Sequence, residues 1–166
     1  MKTFIIITLS IFSLSIYSQN DKPKRKSYKL EIAANETQQY AMDVEESPYF
    51  VKEKILQIYC NEKVFVECEI QGDSISKMKV VEKNLNPEKT IIIEFTQDSE
   101  NRKEIRTDLN VKNPFARTLR YGALMFTPIS QQWKPTSIIP IRPNLQNYEM
   151  WPHSIITLVL ENWQLE

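Results

Sequence analysis

The chain has 166 residues, with 21 Lys plus Arg against 21 Asp plus Glu, one His and two Gly. A formal charge of zero gives no bulk attraction to nucleic acid or to an anionic membrane. Two glycines are too few for a phosphate-cradling loop, because Gly is needed where backbone approaches the anion.

Residues 1–18 read as a secretory signal peptide. Met1-Lys2-Thr3 is a short basic start, residues 4–17 carry no charge, and Ser18 precedes an abrupt polar turn at Gln19-Asn20-Asp21-Lys22. The expected cleavage follows Ser18. The apolar run is short for a bilayer crossing, so no permanent membrane span is expected after cleavage. The protein is therefore expected to be exported, to the periplasm or the extracellular medium. Without Lys2 the mature chain holds 20 basic residues against 21 acidic, a net charge of −1. Residues 19–27 read as a basic flexible tether, with one Pro and no apolar side chain after Asn20. Residues 28–166 are then one domain, long enough to bury a core.

From residue 28 the apolar pattern has period two rather than 3.6. Residues 28–33 place Tyr28, Leu30 and Ile32 on one side. Residues 54–60 and 64–70 read as a hairpin about Asn61-Glu62-Lys63, and residues 74–81 continue the pattern. Residues 90–96 are the most strand-like piece, with Ile91, Ile93 and Phe95 facing one way; their Ile-rich run suits an internal strand. Residues 105–111 alternate Ile105, Thr107, Leu109 and Val111 with polar residues, and Asn113-Pro114 ends them. Residues 117–127 resume, and Gly122 suggests a bulge or a close backbone approach. Residues 128–152 hold five of the nine prolines and read as mostly irregular, with a short edge strand at 137–141. Residues 154–163 close the chain as a strand in the middle of a sheet. Helix evidence is thin: residues 36–43, or the stretch at 48–54, are the best candidates, and neither has a cap followed by an apolar stripe.

Short strands with polar connections and no βαβ rhythm predict an all-β fold, an antiparallel β-sandwich with little or no helix. The immunoglobulin-like architecture is the expected form. Residues 113–123 resemble a turn between two strands of that fold, although the Cys–Trp–Cys spacing of antibody-type domains is absent.

No catalytic, cofactor or metal site is expected. His153 is the single histidine, so paired His ligands are excluded, and two cysteines do not make a four-thiolate zinc site. No Ser lies in a Gly-flanked nucleophile elbow. Glu67 and Glu69 would share the solvated face of their strand, opposite Val64, Val66, Cys68 and Ile70, rather than converge across a cleft. Cys60 and Cys68 could form a disulfide in an oxidising compartment, against which stands the offset that a tight hairpin would impose on them. The densest remaining feature is aromatic. Trp133, Tyr148 and Trp151 fall in the Pro-rich segment and are the candidate residues for binding a partner or ligand, with packing over an open end of the sandwich as the structural alternative. The expectation is a non-catalytic module that binds a protein in the cell envelope. Carbohydrate binding by the same loop is the first alternative. Protease inhibition by a rigid protruding segment at 140–143 is the second.

Overall fold

The structure, a computed structural model, describes residues 23–166; the expected signal peptide and residues 19–22 of the expected tether lie outside the described residues. The chain begins with β1 (Lys24–Arg25), β2 (Tyr28–Ala33), β3 (Gln39–Val44), β4 (Ser47–Pro48), β5 (Phe50–Lys52) and β6 (Ile55–Tyr59). It continues through β7 (Glu62–Gln71), β8 (Ser74–Val81), β9 (Thr90–Asp98) and β10 (Arg106–Lys112). It ends with β11 (Leu119–Phe126), β12 (Trp133–Thr136), β13 (Gln146–Trp151) and β14 (Thr157–Leu165). Pro87–Lys89, one 3-10 turn, precedes β9, and no α-helix occurs among the described residues.

Two five-stranded antiparallel sheets form, in the spatial orders β13-β10-β9-β7-β8 and β12-β11-β14-β6-β5. Period-two alternation drives this arrangement, because one face of each strand can be apolar while the other meets water. Leu56 and Ile58 of one sheet join Ile91, Ile93 and Phe95 of the other in one continuous core, all fully buried. The fold is thus all-β and sandwich-like. β9 and β14 are internal strands, as their apolar runs predict.

The expected hairpin between residues 54–60 and 64–70 does not form. β6 and β7 belong to different sheets, and the chain changes sheet between Cys60 and Asn61. The Cys60 amide donates to the Ile156 carbonyl at 2.9 Å, beside β14, whereas the Asn61 amide donates to the Phe95 carbonyl of β9 at 2.7 Å. Asn61 has φ 70°, a left-handed conformation that Asn tolerates, and this turns the strand out of its plane. The crossing also separates the cysteines. Cys60 lies at the corner and Cys68 stands well along β7, about 20 Å from Glu62 at the strand rise, so no disulfide can span them. Both are buried free thiols.

The helix candidates at 36–43 and 48–54 contain no helix: the first is a turn followed by β3, and the second holds the end of β4, then β5 and a turn. β2 and β3 make a hairpin whose turn is set by Asn35, its Oδ1 accepting from the amides of Thr37 (3.0 Å) and Gln38 (2.8 Å). The hairpin buries Leu30, Ile32 and Val44 against the end of the sandwich. Gln97 of β9 holds it there: its Oε1 accepts from the Ala33 amide at 2.8 Å and its Nε2 donates to the Ala33 carbonyl at 2.9 Å.

The basic segment before β2 is not a free tether over its described part. β1 pairs with β4, and Arg25 is 2% exposed. Its Nη2 donates to Glu62 Oε2 at 3.0 Å and to the Gln57 carbonyl at 2.9 Å, its Nη1 donates to Ser47 Oγ, and the guanidinium lies over the rings of Tyr49 and Tyr59. An arginine can be buried here because planar forks match a carboxylate and stack on aromatic faces.

Residues 113–118 carry the chain from β10 to β11, again across the sheets. Asn113 is fully buried and organises this crossing: its Nδ2 donates to the carbonyls of Arg117, Ile141 and Arg142, and its Oδ1 accepts from the Phe115 amide. The bulge expected at Gly122 lies across from it, where the β11–β14 register shifts between Arg120 and Gly122 and Asn162 takes φ 57°. Residues 137–141 form no strand; Ile141 alone bridges to Leu119.

Candidate functional site

The aromatic candidates occupy adjoining edges of the two sheets. β12 and β13 end their respective sheets on the same side of the sandwich, linked by Trp151 Nε1 donating to Thr136 Oγ1 at 2.9 Å. Trp151 is buried by this contact. Tyr148 lies three residues away, on the opposite face of β13, and is 60% exposed. Trp133 pairs with Phe126 on the outward face of the other sheet, ring centroids 5.3 Å apart and tilted by 52°. Trp133 and Tyr148 therefore face away from each other on opposite outer faces, with Trp151 between the sheets. The three do not form one platform of rings. The segment at 140–143 does not protrude either: Ile141 is buried, and it exchanges two 2.9 Å hydrogen bonds with Leu119.

A different grouping is present. Among the described residues nine large hydrophobic side chains are exposed, and six of them belong to residues 128–152. These are Ile129, Trp133, Ile139, Leu145, Tyr148 and Met150. Tyr148 and Met150 share the outward face of β13, where strand alternation puts every second residue. Ile139 lies alongside, its amide donating to Glu149 Oε1 at 2.7 Å, and Leu145 leads into the strand. Met150 and Ile129 also line a groove of about 800 Å³ at the end capped by the β2–β3 hairpin. The usual polarity is reversed at this edge. Asn147 and Glu149 point inward and bond each other at 2.8 Å, while the large apolar side chains meet solvent. Met150 carries no ring and was outside the aromatic selection, although its spacing of two from Tyr148 is the signal that places it on the same face.

The groove is electrostatically mixed and already internally paired. Arg102 Nη2 donates to the carbonyls of Asn35 (2.9 Å) and Gln38 (2.6 Å), and Arg106 bonds both Asp98 and Asp108. His153 lines the wall, half-buried, and burial lowers its pKa, so the ring is neutral near pH 7. Its carbonyl accepts from Thr107 Oγ1 at 2.7 Å.

Elsewhere, burial pushes the thiols of Cys60 and Cys68 up to about 12, which removes thiolate character at neutral pH. Glu67 shares the outer face of β7 with the exposed Glu69, opposite Val64, Val66 and Cys68, but is itself covered. Its side chain is buried beneath Lys79 at 2.8 Å and Asn86 at 2.6 Å, because the connection between β8 and β9 crosses over it. Hydrogen bonds from Lys79 and then Asn86 hold its carboxyl below the ordinary range. Among the described residues no group of three His, Cys, Asp or Glu side chains could hold a metal ion. No protein family matches the chain, and neither a curated protein nor a solved structure does.

Proposed function

We propose that this protein is an exported, non-catalytic module that binds another protein of the cell envelope through the β12–β13 side of an immunoglobulin-like sandwich. The observation that carries the reading is the concentration of exposed large apolar side chains in residues 128–152, six of nine among the described residues. Exposed apolar side chains that share a face, as Tyr148 and Met150 do on β13, mark interaction sites in soluble domains, and Tyr and Met are favoured there. The signal-peptide pattern of residues 1–18 supports export. The immunoglobulin-like assignment is supported by the repeated hand-over of the chain between two antiparallel sheets, as at β6–β7, β10–β11, β12–β13 and β13–β14. A glycan is less well served, since sugar stacking needs neighbouring coplanar rings, and Trp133 and Tyr148 face opposite ways.

Affinity purification from an envelope fraction tests this reading. The wild-type chain is compared with Tyr148→Ser/Met150→Ser, which changes only exposed side chains. A stoichiometric protein retained by the wild type and lost by the variant is expected. A protein retained equally by both would remove this surface from the account.

A further inference from the structure

We propose that the free edge of β8 is a second docking site, which accepts an extended acidic segment of a partner protein as an added strand. The four edges of the two five-stranded sheets are unequal. β5 has three residues, and β12 has four with Pro135 among them. β13 is shielded by residue 139, which bonds Glu149 and Asn147 side chains. β8 runs for eight residues with β7 on one side and, among the described residues, no strand on the other. Proteins blunt such edges by shortness, Pro, cover or charge, and β8 has only charge.

Beside this edge an open groove of about 1310 Å³ separates β8 from β5 of the opposite sheet. Lys54, on the groove wall, donates from Nζ to the Ile75 carbonyl at 3.1 Å and so occupies the acceptor at the start of β8, while residues 76–81 of the strand line the groove. The chemistry of the lining selects the occupant. Lys52, Lys54, Lys77, Lys79 and Lys83 face Glu53, Glu67 and Glu82 there, a surplus of positive charge. Glu67 is already engaged by Lys79 and Lys89, at 2.8 and 3.8 Å. Along β8, Lys77 and Lys79 stand opposite Glu69 and Glu67 on the outer face, while Met78 and Val80 are buried on the inner one. A strand added to this edge would meet lysines with one set of alternate residues and apolar side chains with the other. The fitting segment therefore alternates acidic and apolar residues, with main-chain hydrogen bonds supplying affinity. Edge-to-edge pairing with a second copy would bring β8 lysines together across the strands, which is destabilising. This edge lies on the side of the sandwich away from β12 and β13, so it stands independently of the surface proposed above.

The probe is a fluorescein-labelled peptide of about nine alternating Glu and Val residues, long enough to span β8. Its binding to the purified mature chain is read by fluorescence anisotropy, and its location by hydrogen exchange. Saturable binding with new protection of β8 amides is expected. Lys77→Glu/Lys83→Glu alters two exposed side chains and should weaken binding about tenfold. A Lys/Val peptide and a Glu/Val peptide with a central Pro should fail. No saturable binding, equal binding of the Lys/Val peptide, or protection confined to other strands would overturn the proposal. So would a dimer that excludes the peptide, which would assign the edge to a second copy. Binding gained only on removing the residues ahead of Pro23 would overturn it too, assigning the groove to that segment.

Discussion

Arg25 shows how much a single side chain can settle. Among the described members of the basic run at 22–29 it is the one that turns inward, and it neutralises Glu62 where water is excluded. Removing one partner of a buried pair leaves an uncompensated charge, which costs about 3–5 kcal/mol. Arg25→Met should lose stability of that order in urea unfolding, and Arg25→Met/Glu62→Leu should regain most of it. A loss of under about 1 kcal/mol from the single change would contradict a buried pair. No periodicity marks Arg25, because burial of a charge depends on a carboxylate 37 residues away and not on its neighbours. Glu67 shows the same limit: its alternation assigns it to a polar face, yet a loop crossing that face covers it. Its lowered pKa has a sign that can be checked. A carboxyl depressed in the folded state contributes stability above the ordinary carboxyl range, and this is lost as pH falls through the folded value. Glu67→Gln should therefore flatten the acid side of a stability-against-pH curve. An unchanged acid side would remove Glu67 from that dependence.

At the scale of elements, strands with one buried face were legible. Ile91, Ile93 and Phe95 in β9, Leu109 and Val111 in β10, and Leu158 and Leu160 in β14 follow apolar alternation closely. Pairing was less legible. The turn signal at Asn61-Glu62-Lys63 is real, but it sends the chain to the opposite sheet rather than back along its own, and local sequence does not distinguish the two. β13 was missed for a different reason. Its exposed positions are Tyr148 and Met150 and its inward ones Asn147 and Glu149, so the expected polarity is inverted. The β2–β3 hairpin depends on a distant residue, Gln97, for its attachment. Gln97→Ala leaves the Ala33 amide without its partner, a loss of about 1–3 kcal/mol. Hydrogen exchange should then accelerate across β2 and β3 while β9 and β14 remain protected. Unchanged exchange in the hairpin would show that apolar packing alone fixes the cap.

Across the whole molecule, the two sides of the sandwich are finished differently. One side ends in short or shielded edges and an apolar surface at Ile139, Tyr148 and Met150. The other ends in a long edge strand and a lysine-lined groove. The two surfaces lie at opposite ends of the strand orders and do not overlap. Trp133, Tyr148 and Trp151 all lie along the β12–β13 side, but on different faces of it. Indole rings are equally able to pack or to bind, and only the tertiary contact with Thr136 determines that Trp151 packs.

On the proposed reading, the β13 face contacts another protein. Site-specific photocrosslinking in the native host tests it most directly, with a photoreactive phenylalanine analogue replacing Tyr148 in one strain and Arg120, on the outward face of β11, in another. One discrete protein adduct is expected from position 148 and none from position 120. No adduct from position 148, or the same adducts from both positions, would contradict it.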